Sequence, residues 1–116
     1  IEDYVAGEAG LTNLVTPADL AALFTAIVTG TLGAPDAMVD TLLRQERTED
    51  LAAGLPPGTR VAHKNGWVDG VRHGAGVVFP DDAPPYAIAV CTTTDLPDSA
   101  ACGVIARVSA WAWAHR

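Results

Sequence analysis

Lysine occurs once in the 116 residues, methionine once and cysteine twice. Seven basic residues stand against fourteen acidic ones, for a formal net charge of −7. A nucleic-acid surface needs clustered Lys and Arg to neutralise phosphates. The basic residues are scattered along the sequence, which excludes that reading and a polybasic membrane patch as well. The longest apolar stretches have ordinary globular-helix length and are interrupted by polar residues, so no transmembrane span is expected. Cys91 and Cys102 form no Cys-x-x-Cys pair, which excludes a thiolate zinc site of the usual spacing. Internal repeats and low-complexity tracts are absent.

What remains is a globular chain, 49% hydrophobic and 18% charged. That is enough for one domain with a modest core. The only methionine is Met38 and the sequence opens on Ile1-Glu2-Asp3. The expectation is that it does not begin at a translation start, and that any signal peptide lies upstream.

Residues 1–15 carry Gly7, Gly10 and Asn13 without a clean period and read as a loop leading into the domain. Thr16-Pro17-Ala18-Asp19 is a helix start: Thr16 can cap, Pro17 suits the first turn, and Asp19 meets the positive end of the dipole. Leu20, Leu23, Phe24, Ile27 and Val28 follow at helical spacing, with Gly30 as a stop. Pro35-Asp36 opens a second helix with Met38, Val39, Leu42 and Leu43 on one face. Its far end, Arg44-Gln45-Glu46-Arg47, reads as polar and solvent-facing. Leu55-Pro56-Pro57-Gly58 closes this helical part, residues 16–59.

From Arg60 the pattern changes to strands. Residues 60–65, 71–79 and 86–94 are expected to form a three-stranded antiparallel meander. Its turns would be Gly66-Trp67-Val68-Asp69-Gly70 and residues 80–85. Asp98 or Ser99 can cap a last helix whose buried stripe would be Ile105, Val108, Trp111 and Ala112. Residues 60–116 thus hold the meander and the C-terminal helix. The fold class is α+β, helices packed on an antiparallel sheet in the order helix, helix, three strands, helix.

Lys64 draws attention because it is unique and sits near a strand end, two residues before Gly66, which leaves room for a ligand or another backbone. Most strand-end lysines merely face solvent. His63, His73 and His115 lack a ligand pattern completed by Cys or carboxylate, so no metal is expected, and no cofactor either. Cys91 lies in an apolar run and reads as an inert thiol. Gly70, Gly74 and Gly76 lack the dinucleotide spacing and stand in a hairpin, which argues against a phosphate cradle. Trp111 and Trp113, two apart on a helix, read as one core and one exposed residue.

Three segments in order carry a resemblance: His63-Lys64-Asn65-Gly66-Trp67, then residues 70–78, Gly-Val-Arg-His-Gly-Ala-Gly-Val-Val, then residues 85–90, Pro-Tyr-Ala-Ile-Ala-Val. Together they resemble the C-terminal part of class A β-lactamase-like, penicillin-recognising serine hydrolases. The Thr16 helix start and Leu55-Pro56-Pro57-Gly58 fall where that family has them, so the likeness runs from about Asn13 onward. The family's Lys-Thr-Gly strand edges its active site. The resemblance implies that Lys64 sets positive charge against the catalytic serines and a substrate carboxylate. Asn65 would replace the carboxylate-binding threonine, and Gly66 would let substrate lie along the strand. The Trp67 backbone N–H would be half of an oxyanion hole. Arg72 or His73 could add a second contact to an anionic group.

This sequence departs from the pattern in three places. Asn65 is an amide and cannot relay a proton as a hydroxyl can. Gly74 stands where relatives carry a polar or acidic residue. The Ser-x-x-Lys nucleophile motif is absent, since Val61 stands three residues before the only lysine, and neither Ser99 nor Ser109 completes Ser-x-Asn.

The implied protein acts through a serine acyl-enzyme on an amide or ester, β-lactams included. Its partner would be an upstream part bearing the serine, and the resemblance implies export to the periplasm, envelope or outside. Two rivals stay open: a catalytically silent relative that binds peptide or cell-wall fragments, and a self-standing interaction domain. A Cys91–Cys102 disulfide and two free thiols are both open as well.

Overall fold

The computed structural model describes residues 14–116. Helix α1 spans Pro17–Val28 and helix α2 spans Pro35–Leu43. A 3₁₀ turn, Ala52–Gly54, leads into strands β1 (Arg60–Val68), β2 (Val71–Phe79) and β3 (Tyr86–Thr93). Helix α3, Asp98–Ala114, closes the chain. The sheet is an antiparallel meander in the order β1-β2-β3. This is the expected α+β order, helices packed on an antiparallel sheet.

The first helix starts as its sequence dictates. Thr16 Oγ1 accepts from Asp19 N at 3.1 Å, and Asp19 Oδ2 accepts from Thr16 N at 2.9 Å. Two orphan N–H groups are thereby satisfied. Gly30 ends the helical stretch at φ +76°. Phe24 is buried beneath it, while Leu23 stays half exposed.

Facing partners in the ladder put side chains on the same side of the sheet, and the alternation sorts the molecule into two cores. On one side Ala75 and Val77 meet Phe24, with Leu20, Val28, Leu42, Phe79, Ala87 and Ala89 around them. That is the α1/α2 face. On the other side Val78 and Ile88 pack with Leu51, Leu55 and Ile105. That is the α3 face. Central strand β2 is covered on both sides and is buried along most of its length.

Three expectations change. The first hairpin turn is only Asp69-Gly70, because β1 stays paired through Gly66↔His73, Trp67↔Arg72 and Val68↔Val71. The chain reverses where Gly70 takes φ +74°, a region open to glycine at little cost. The buried stripe of α3 is Ala101, Cys102, Ile105 and Ser109, whereas Val108 and Trp111 face solvent. Trp113 instead packs against the α3-face core, and Trp111 stacks on His115. Finally, Pro97 occupies the N-cap of α3, and neither Asp98 nor Ser99 caps it. Asp98 lies in the first turn and its carboxylate is drawn to Arg72.

Both cysteines are free thiols. Cys91 pairs with His73 in register and so lies on the α1/α2 face, while Cys102 is buried on α3. The sheet stands between them, so a bridge could not close without moving backbone. Burial pushes both thiols above their ordinary value. Among the described residues, no helix is long and apolar enough to cross a membrane.

Candidate active site

The residues singled out in the sequence, 63–67 with 72 and 73, fall on two adjacent strands but on two different faces. Lys64 faces Ala75 and Gly66 faces His73, which sets Lys64 and His73 on the α1/α2 side. Asn65 faces Gly74 and Trp67 faces Arg72, which sets Asn65, Trp67 and Arg72 on the α3 side with His63. Arg72 and His73 therefore cannot serve one anion from the same side of the sheet.

β1 is an edge strand of the described sheet. Along an antiparallel edge, alternate residues turn their N–H and C=O toward the partner strand or away from it. The Lys64 ammonium donates to the Asn65 carbonyl oxygen, so that carbonyl is turned away from β2. Trp67, two residues on, has the same orientation, and its N–H points out along the open edge. Lys64 itself is exposed and has no carboxylate within ion-pair distance among the described residues. A Cβ placed on Gly66 would meet no atom within 4 Å. Nothing in the described fold demands glycine there, and the space beside the strand edge is open.

The α3 side is occupied by a charge network. Arg72 is 3% exposed; its Nη1 donates to Asp98 Oδ1 at 2.6 Å, and its Nη2 lies 3.2 Å from Glu49 Oε1 and 3.5 Å from Asp50 Oδ2. The Trp67 ring sits 4.8 Å from the Arg72 guanidinium carbon and 5.5 Å from that of Arg47. The Asn65 side chain is buried and donates from Nδ2 to the Arg47 carbonyl oxygen at 3.3 Å. Its Oδ1 is buried without a protein partner among the described residues. His73 Nδ1 lies 2.8 Å from the Arg72 carbonyl oxygen and 3.2 Å from Thr92 N, contacts that fix its ring. His63 is buried, and burial pushes its imidazole below the ordinary value despite the opposing pull of Asp50.

Sequence reasoning did not find Glu49, Asp50 or Asp98. They reach Arg72 across sequence separations of 23, 22 and 26 residues, and no local pattern marks them. Arg44 and Arg47, read as a solvent-facing helix end, line a cavity with Lys64. Gly74 and Gly76 also find their roles here. A Cβ on Gly76 would lie 2.6 Å from the Ala62 carbonyl oxygen and 2.7 Å from His63 Cβ. Glycine gives the buried His63 its clearance. Among the described residues, no group of three or more His, Cys, Asp or Glu is placed to hold a metal.

Known proteins share the family and the fold. The beta-lactamase enzyme family matches residues 2–116. None of the curated proteins matches the chain. Among solved structures, PBP-A is 28% identical over 90% of this chain and 42% of its own, with a TM-score of 0.76. A variant of the reconstructed class A β-lactamase of the last common ancestor of Gram-negative bacteria is 31% identical. It covers 87% of this chain and 42% of its own, with a TM-score of 0.77. A β-lactamase from Chitinophaga pinensis is 26% identical over 99% of this chain and 48% of its own, with a TM-score of 0.83. The chain thus spans less than half the length of each of these structures. The family match spans nearly the whole sequence, and the chain belongs to the beta-lactamase enzyme family.

Proposed function

We propose that this chain forms the Lys64 wall of a serine hydrolase that transfers an acyl group through a serine ester. The observation that carries the reading is the open β1 edge: a Lys64 with no carboxylate partner among the described residues, clear space at Gly66 and an outward N–H at Trp67. In this reading the serine comes from a part of the protein outside these 116 residues, since Ser-x-x-Lys is not among them. Its oxygen attacks the carbonyl carbon of an amide or ester, β-lactams included; the C–N or C–O bond then breaks, and the amine or alcohol leaves with the proton given up by the serine. The oxyanion that develops is met by the Trp67 N–H, and Lys64 supplies positive charge beside the serines and a substrate carboxylate. Gly66 leaves the substrate room along the strand.

Asn65 and Arg72 take supporting roles. Both side chains are turned to the α3 side, where they tie β1 and β2 to the loop holding Arg47, Glu49 and Asp50. His73, on the Lys64 face, is the better placed of the expected second contacts to an anionic group. A PBP-A variant solved as an acyl-enzyme with penicillin G gives the reading a structural relative with this chemistry. Export to the envelope or beyond goes with the same proposal.

The test is acylation of the intact protein by a chromogenic β-lactam and by a reactive ester. Lys64→Ala should slow acylation by about two to three orders of magnitude, the scale of losing a preorganised electrostatic contact. Unchanged acylation would overturn the assignment. A second reading, a silent relative that binds peptide or cell-wall fragments in the same groove, is favoured by the inward-turned Asn65. It predicts binding with no acyl adduct by mass spectrometry.

A further inference from the structure

The structure gathers cations at one place that the sequence scatters. Of the seven Lys and Arg residues, in a chain of net charge −7, three line a single cavity of about 360 Å³. They are Arg44 at the end of α2, Arg47 in the following loop and Lys64 on β1, and Glu46 is the one acidic residue in the lining. Elsewhere Arg60 and Arg107 have no carboxylate within 4 Å among the described residues, and the other two cations are matched. Arg72 and Arg116 each hold a carboxylate at 2.6–2.7 Å. The cavity cations are not matched in this way. Arg44 and Lys64 have no carboxylate within 4 Å among the described residues, and the Arg47–Glu49 pair is a long 3.7 Å contact between exposed side chains. Exposed pairs of that kind contribute little. The cavity keeps a surplus of positive charge with hydrogen-bonding hydrogens to spare.

We propose that Arg44 and Arg47 form an anion subsite beside Lys64, which selects substrates bearing a second carboxylate in addition to the one that Lys64 meets. The inference rests on the acyl-transfer reading and extends it from any anionic substrate to a dianionic class. Planar guanidinium forks suit a carboxylate better than an ammonium does, because two parallel N–H bonds can reach its two oxygens. Lys64 would then serve the carboxylate nearest the reacting carbonyl. The two arginines would hold the distal one, their combined charge outweighing the opposing charge of Glu46.

The experiment uses the intact protein as wild type, Arg44→Gln, Arg47→Gln and the double variant. Two chromogenic esters are compared, one with a carboxylate on the distal arm and one with that carboxylate as its methyl ester. The double variant should raise KM for the carboxylated ester roughly tenfold or more, the scale of a hydrogen bond to a charged group, with kcat held. KM for the neutral ester should change less than about twofold. In parallel, glutarate is titrated against the arginine side-chain NMR signals. The expected result is saturable binding in the wild type, weakened about tenfold in the double variant. An unchanged KM ratio between the two esters, or an unchanged glutarate affinity, overturns the subsite. If no ester acylates even the wild type, the acyl-transfer reading fails separately, and the glutarate titration still decides whether the anion subsite exists.

Discussion

The Arg72 guanidinium carbon lies 4.8 Å from the centre of the Trp67 ring, and the same group holds carboxylates from two separate segments. Asp98 comes from the first turn of α3, whereas Glu49 and Asp50 come from the loop ahead of the 3₁₀ turn. Arg72 therefore fastens the β1–β2 hairpin to a helix and a loop at once, on the side of the sheet away from Lys64.

Removing that fastener should be costly. Asp50 is 0% exposed, and without Arg72 its charge would be left uncompensated in the core. Breaking a buried pair from one side costs about 3–5 kcal/mol. Arg72→Met in the intact protein should lower the denaturation midpoint on that scale, and Asp50→Asn in the same background should restore much of the loss. Arg72→Lys should recover only part, because an ammonium cannot fork between Asp98 and Glu49. A near-neutral Arg72→Met would show that the network is ornamental.

Two glycines should respond differently from a third. A Cβ at Gly54 would lie 2.0 Å from the Ala106 carbonyl oxygen, and one at Gly76 would lie 2.6 Å from that of Ala62. Each clash is with backbone, so relief requires moving the 3₁₀ turn off α3 or β2 off β1. Gly54→Ala and Gly76→Ala should each destabilise by about 1–3 kcal/mol, the range for overpacking. Gly66→Ala meets nothing within 4 Å and should leave the melting temperature nearly unchanged. If substrate uses that space, the same variant should lower kcat/KM for the ester or β-lactam. Stability and activity would then separate at one position.

The sequence made the order of elements readable because its signals were local. The Thr16-Pro17-Ala18-Asp19 and Pro35-Asp36 helix starts each act within a few residues, and the structure reproduces them. The Lys64 strand was legible for the same reason. What could not be read was which side of the sheet each residue faces. That depends on the register of β1 against β2, and register separates Lys64 and His73 from Asn65 and Arg72. Placing the hairpin turn three residues too early hid this, since residues 66–68 were taken out of the ladder. The convergence of Arg44 and Arg47 on Lys64 was hidden too, because it depends on how α2 packs on β1.

Helix α3 offers a test of its corrected face. Ile105 is 0% exposed in the α3-face core, whereas Trp111 is 64% exposed and stacks only on His115. Ile105→Ala should cost about 2–5 kcal/mol, since it removes buried methyl groups and leaves a cavity. Trp111→Ala should stay within about 0.5 kcal/mol, as surface changes do. The reverse ranking in chemical denaturation would restore the stripe expected from spacing alone.

His63 gives the fold a defined acid sensitivity. It is buried on the α3 face of β1, and burial holds its imidazole below the ordinary value of 6.5, with Lys64 opposing protonation as well and Asp50 and Glu49 favouring it. Between 6.5 and the lower folded value, the unfolded chain binds a proton that the folded chain refuses. The folded state therefore keeps its full stability from this group above about pH 6.5. It loses that contribution as pH falls through the window. His63→Gln removes the titration while keeping a side chain of similar reach. The wild type should lose more melting temperature than His63→Gln between pH 7 and pH 5. The other groups of the chain are common to both proteins, so the difference between the two curves isolates His63. Parallel curves across that range would mean that His63 takes up its proton equally well folded and unfolded, and that its burial carries no acid penalty.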